Sequence, residues 1–230
     1  RMDVWGTQDG SRFPGTFRCP SLVYIAVDPN DGTLYACYFD TTDVQSNGSN
    51  VDLYFCRSFN QGTTWTTPTV INTDPALAGD QFFPWMEVDE DGRIHLVCFN
   101  SKNTSQDDNT TFGFFDAYYM FSGDDGLSWS EHRLTPTAWN SNNDGLDRPS
   151  QFIGDYLGLA LAGEVAWPTY LDTSNGDTDV YTNKIEIFPL GDINMDGVVD
   201  TADMLLMLAD WGFCGPGACP ADLNGDFSVN

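Results

Sequence analysis

The chain repeats itself, and the repeat constrains its fold more than any other feature. Asp52-Leu53-Tyr54-Phe55, Asp116-Ala117-Tyr118-Tyr119 and Asp179-Val180-Tyr181-Thr182 echo one another at offsets of 64 and 63 residues. Ahead of each lies a second echo: Cys37-Tyr38-Phe39-Asp40-Thr41, Cys98-Phe99-Asn100-Ser101 and Tyr170-Leu171-Asp172-Thr173. Earlier still, Asp28-Pro29-Asn30-Asp31-Gly32 and Asp89-Glu90-Asp91-Gly92 interrupt apolar runs, as hairpin turns do. Each unit reads strand, Asp-Gly turn, strand, long polar loop, strand, tight turn, strand. The third unit departs from the pattern, with Ala162-Gly163 in place of the Asp-Gly turn.

Four short antiparallel strands per unit of this length describe a β-propeller blade. The expected fold is mainly β, with about three four-stranded blades over residues 1–190. An open stack of three blades would expose unpaired faces, so the chain is expected to be the C-terminal part of a longer protein. Charge narrows the partners. Nine Lys and Arg face 34 Asp and Glu, a net charge of −25, which repels phosphates and excludes a general nucleic-acid role. No apolar run reaches the ~20 residues of a spanning helix. Only five of the acids are glutamate, and the remainder are aspartate. Text rich in Asp, Asn, Gly and Thr suits turns and oxygen ligands for hard cations.

Two of the tight turns share a sharper pattern. Ser58-Phe59-Asn60-Gln61-Gly62-Thr63-Thr64-Trp65 and Ser122-Gly123-Asp124-Asp125-Gly126-Leu127-Ser128-Trp129 both read Ser-x-Asx-x-Gly-x-Thr/Ser-Trp. The Asx side chain can accept bonds from turn amides, Gly permits φ > 0, and Trp can plug the space beneath the hairpin. The pattern resembles the Asp-box of sialidase-like (BNR repeat) propellers. In that family Ser58, Asn60, Gly62 and Trp65, with Ser122, Asp124, Gly126 and Trp129, would be structural staples outside the active site. The resemblance extends over about residues 17–190 and includes Gln151-Phe152-Ile153-Gly154-Asp155-Tyr156-Leu157-Gly158-Leu159-Ala160, which looks like a stretch common in secreted bacterial members. Ser174 departs from it, standing where such members often carry Arg. Sialidase-like propellers close with six blades, so three would be missing.

The text changes after residue 190. Asp192, Asn194 and Asp196 occupy positions one, three and five of a twelve-residue calcium loop, and Gly197 supplies the turn at six. Val198 would offer its carbonyl, Asp200 sits at nine and Asp203 at twelve. Residues 204–211 then read as a short apolar helix, with Gly212 as its stop. A second loop starts with Asp222, Asn224 and Asp226, carries Phe227 where Gly is expected, and runs to the chain end. Paired loops of this form look like a type I dockerin, a small α-helical EF-hand-like module over residues 191–230. That resemblance implies bound Ca2+ and a cohesin-like protein partner.

A sialidase relative implies a Tyr nucleophile, an Asp acid/base and an Arg cluster where the innermost strands meet the central channel. Those strands are expected to start near residues 18–27, 80–88 and 148–157. Arg18, Arg148, Asp155 and Tyr156 are thereby nominated for substrate binding, with Asp80 and Trp85 as wall residues. The ordinary alternatives are that Arg148 pairs with surplus Asp and that Tyr156 is blade core. No Gly-rich phosphate loop, nucleophile elbow or HExxH occurs, and His95 in its Ile-His-Leu-Val strand reads as a half-buried packing residue. Six cysteines suggest an oxidising, extracytoplasmic setting. Cys214 and Cys219 bracket a small loop, and Cys37 falls nearly opposite Cys56 on a strand pair, with the pairing left open.

Two functions compete. The first is a secreted or cell-surface, glycan-associated protein: a sialidase-like exo-glycosidase tethered by a calcium module, inactive as this fragment alone. The alternative is a non-catalytic propeller that binds glycans or glycoproteins, with the same tether.

Overall fold

The computed structural model describes Cys19 and residues 22–41, 51–73, 79–102, 113–147, 151–187, 199–209, 212–213 and 228–229. They are mainly β, with one helix among them. Contacts divide the chain into two compact units: the first runs up to Leu161 and takes in Trp167–Lys184, and the second joins Ala162–Ala166 to Ile185–Asn230.

The first unit is built of successive antiparallel meanders. Strands β1 (Tyr24–Val27), β2 (Leu34–Thr41), β3 (Val51–Ser58) and β4 (Thr69–Val70) lie side by side in chain order. The next sheet repeats that order with β5 (Gln81–Val88), β6 (Ile94–Asn100), β7 (Phe114–Ser122) and β8 (Ser130–Arg133), and β9 (Trp139–Asn140) pairs β7 further along. The Asp-Gly segments make the first hairpin of each sheet: Asp28 and Asp89 each accept a turn amide, and Gly32 and Gly92 take φ of 77° and 82°. β6 is buried along its whole length, so the second sheet is covered on both faces.

Aromatic residues join the two sheets. Phe39 meets Phe83 edge-on at 6.2 Å, and Phe55 meets Trp129 at 5.3 Å. Phe82, Phe99, Phe115 and Trp139 form the centre of the second sheet's core. Polar links accompany them: Tyr35 donates to Asp125 Oδ1 at 3.1 Å, and Arg57 donates to the Asp125 carbonyl at 2.7 Å.

The third sheet is degenerate. β10 (Gly158–Leu161), β11 (Val165–Asp172) and β12 (Asp179–Thr182) follow the meander, but the last short strand, β13 (Ile185–Glu186), pairs back onto β11. The inner strand expected to start near 148–157 starts just past that stretch: Asp155 and Tyr156 precede β10, which begins at Gly158. The Ala162-Gly163 turn is closed by the Ala162 N–H on Val165 O at 2.9 Å, with Gly163 at φ 56°.

Strand register corrects the cysteine expectation. Cys37 pairs with Phe55, and Cys56 with Ala36. A one-residue offset puts the two thiols on opposite faces, and no disulfide joins Cys19, Cys37, Cys56 or Cys98. Cys214 and Cys219 lie outside the described residues. His95 is a packing residue, 5.3 Å from the Phe121 ring, but fully buried rather than half-buried, and it makes polar contacts as well. Its Nδ1 lies 2.6 Å from the Tyr119 hydroxyl and its Nε2 3.1 Å from Asp89, which also takes Arg93 Nε.

In the second unit, helix α1 spans Thr201–Ala209, and β14 (Gly212–Phe213) pairs with β15 (Ser228–Val229). The helix starts three residues earlier than its apolar run because Asp200 and Asp203 cap it. Asp200 Oδ1 accepts the Ala202 N–H at 2.6 Å, while Asp203 Oδ2 accepts the Asp200 N–H at 2.7 Å. This reciprocal arrangement satisfies donors that the first turn would leave orphaned. Gly212 lies in β14 rather than serving as a helix stop. No described helix is long and apolar enough to cross a membrane.

Candidate functional site

The two Ser-x-Asx-x-Gly turns are tied within themselves. Ser58 Oγ and Ser122 Oγ each accept a glycine amide at 2.9 Å, from Gly62 and Gly126. Asn60 Oδ1 accepts the Thr64 N–H at 2.9 Å, and Asp124 Oδ1 the Ser128 N–H at 2.8 Å. In both turns a left-handed residue precedes the left-handed glycine: Gln61 at φ 57° and Asp125 at 59°. The serines are buried and the turn tips exposed, so these side chains hold backbone and present no reactive group. The two tryptophans differ. Trp129 packs on Phe55 of the first sheet and donates to the Gly126 carbonyl at 3.2 Å, whereas Trp65 is 38% exposed.

A different cluster gathers around the first strands of the three sheets. Tyr24 on β1 and Trp85 on β5 place their rings 5.1 Å apart at 50°, and Tyr156, just before β10, sits 6.3 Å beyond Trp85 at 45°. The Trp85 indole N–H donates to Glu87 Oε1 at 3.1 Å. Tyr156 is 66% exposed, so the row opens to water. Burial, and then the neighbouring Tyr156 phenol, push the Tyr24 hydroxyl above its ordinary value. The Tyr24 phenol is thus a neutral donor at physiological pH.

A backbone irregularity sets the aim of Trp85. Pairing between β5 and β6 slips between Phe82 and Trp85: Phe82 faces Phe99, but Trp85 faces Val97. The extra residue is a β-bulge, and Phe83 within it takes φ 52°, a left-handed conformation that a bulky side chain adopts only under constraint. Without the insertion, Trp85 would turn to the other face of the sheet.

Asp80 is fully buried and accepts the Val51 N–H at 3.0 Å. Burial, and then the charges of Asp80 and Asp155, push the Cys19 thiol well above its ordinary value. Of the residues nominated from sequence, Tyr156 and Trp85 come together, with Asp155 next to Tyr156 in the chain, whereas Asp80 is bonded to Val51 and Ser101. Arg18 and Arg148 lie outside the described residues, as do Asp192, Asn194, Asp196, Val198, Asp222, Asn224 and Asp226. Sequence reasoning passes over Tyr24, although a signal exists: it precedes Asp28 by four residues, as Trp85 precedes Asp89. The third sheet has Gly158 at the corresponding place, and Tyr156 supplies the ring from two residues upstream.

No protein-family model matches the chain, and no curated protein does. Three solved structures are similar at low identity. An α-L-arabinanase of Penicillium chrysogenum complexed with arabinobiose is 16% identical over 72% of this chain and 46% of its own, with a TM-score of 0.47. A Dyadobacter fermentans protein of unknown function is 13% identical over 79% and 52%, at 0.42. A GH43 endo-arabinanase of Bacillus licheniformis is 12% identical over 79% of each chain, at 0.23. The chain spans about half the length of the first two. Likenesses this weak carry no functional argument, and the site's own geometry must do so.

Proposed function

We propose that this chain is the glycan-recognising propeller segment of a secreted or cell-surface protein, tethered by a calcium-dependent C-terminal module. The open aromatic row of Tyr24, Trp85 and Tyr156 carries the proposal. Flat, rigid rings offer apolar faces to the C–H surface of a sugar, while the phenols and Glu87 supply a few hydrogen-bonding groups. The Asp-box turns support kinship with sialidase-like repeat propellers, of which the chain would hold about three of six blades. Affinity electrophoresis of the full chain through gels containing soluble polysaccharides tests this reading: retardation supports it, and unretarded migration through every polysaccharide would sink it.

A second reading, hydrolysis of a terminal glycoside, draws on Tyr156, which stands beside Trp85, and on Asp155 next to it in the chain. Asp80 is fully buried and does not reach a sugar. The fragment is expected to release no fluorophore from an aryl sialoside. Release that is abolished by Tyr156→Phe would establish the enzyme instead.

The calcium proposal concerns Asp192, Asn194, Asp196, the Val198 carbonyl, Asp200 and Asp203. The donor chemistry fits a hard cation. Asp203, at position twelve, accepts the Asp200 N–H at 2.7 Å at the start of α1, and calcium would compete for that carboxylate. Calcium bound there would neutralise crowded carboxylates and stabilise the module by mass action. The second loop, with Asp222, Asn224 and Asp226, would bind weakly. α1 exposes Met204, Leu205 and Leu208, the face a cohesin-like partner would cover.

A further inference from the structure

We propose that Tyr24, Trp85 and Tyr156 form a stacking site for an uncharged saccharide, and that the site discriminates against sugars bearing a carboxylate. The inference rests on the glycan reading above and narrows it to a ligand class.

The geometry is that of a platform and not of a core. Core aromatics in this protein, such as Phe82, Phe99 and Phe115, are shut away from water, whereas the row ends in a ring two-thirds exposed. Successive rings tilt by 50° and 45°, so they present separate faces along a shallow curve. The platform is also stiff. The Trp85 indole is pinned to Glu87, and the bulge at Phe83, followed by Pro84, holds the strand in the register that aims the ring. A rigid, pre-aimed ring loses little freedom when a sugar stacks on it. Strained backbone beside an open site marks a position held for use.

Charge selects the ligand. Glu87, bonded to the Trp85 indole, sets a carboxylate on the row itself. Carboxylates accept hydrogen bonds from sugar hydroxyls and repel another carboxylate. Of the described cations, Arg57, Arg93, Lys102 and Arg133 are paired with Asp125, Asp89, Glu131 and Asp116 respectively. The chain's net charge of −25 adds long-range repulsion of anionic sugars.

The test is calorimetric titration of the full chain with xylohexaose, mannohexaose and galactohexaose, against hexagalacturonate and 3′-sialyllactose, in one buffer at 0.1 M salt. At least one neutral oligosaccharide should bind at least tenfold more tightly than either acidic one. That binding should weaken at least tenfold in Trp85→Ala and in Tyr156→Ala. Tyr156 is exposed, so its variant folds even if Trp85→Ala does not. An acidic sugar bound more tightly than every neutral one would overturn the ligand class while leaving glycan recognition standing. Neutral binding undiminished in both variants would overturn the site. Binding in no arm would overturn the glycan reading itself.

Discussion

Trp65 and Trp129 end the same eight-residue turn and are set apart by one neighbouring ring. Trp129 meets Phe55 of the first sheet, whereas Trp65 is partly exposed. Sequence alone predicts the same large loss, roughly 3–5 kcal/mol, for removing either. The surroundings divide them: Trp129→Ala should lose about 3 kcal/mol and Trp65→Ala about 1 kcal/mol, read by urea unfolding. Equal losses would contradict the packing. Asp89 gives a second residue-level prediction. Burial would raise its carboxyl, but bonds from His95 and Arg93 outweigh burial and hold it at about 2. The unfolded chain titrates near the ordinary 3.8, so between these values it binds more protons than the folded chain. Stability from Asp89 is therefore complete above about pH 4 and is lost as pH falls towards 2. Asp89→Asn should remove about 2 kcal/mol at neutral pH and make acid unfolding shallower. Burial would raise Asp124 too, but bonds from Ser128 hold it below its ordinary value, so the slope should fall without vanishing.

At the scale of elements, repeat offsets and turn residues make the meanders legible in the sequence itself. Hydrophobic alternation, Asp-Gly pairs and left-handed glycines are local, so they read directly from adjacent residues. What the sequence hides is non-local or off by one. The Cys37 and Cys56 strands pair one residue away from a bridgeable register. The inner strand of the third sheet starts at Gly158 and not before it. The bulge at Phe83 has no short sequence signature, yet it decides which way Trp85 points. Contacts between sheets are equally hidden, and they separate two otherwise matching glycines. A Cβ at Gly126 would overlap the Phe55 ring, while one at Gly62 would meet Leu34 at 3.6 Å. Both glycines have φ near 80°, so both alanine variants carry backbone strain of about 1 kcal/mol. Gly126→Ala should lose about 2 kcal/mol more than Gly62→Ala in denaturant unfolding, from the added overlap.

At the scale of the whole molecule, aspartate serves two ends: it closes turns, and in the C-terminal loop it is proposed to gather calcium. Adding a chelator to the calcium-loaded chain should melt α1 and leave the sheets intact, seen as lost helical ellipticity with unchanged strand signal. A helix indifferent to chelator would contradict the loop assignment, and Asp196→Ala should reproduce the chelated state. The aromatic row is the account's central claim, because it alone brings all three sheets to a shared purpose. Indole N–H resonances test it most directly. In a heteronuclear titration of the full chain with a neutral oligosaccharide, the Trp85 indole signal, bonded to Glu87 in the free protein, should move saturably. The Trp139 indole, buried in the second sheet's core, and the Trp129 indole, against Phe55, should stay. A Trp85 signal that holds still while the oligosaccharide binds would contradict the account.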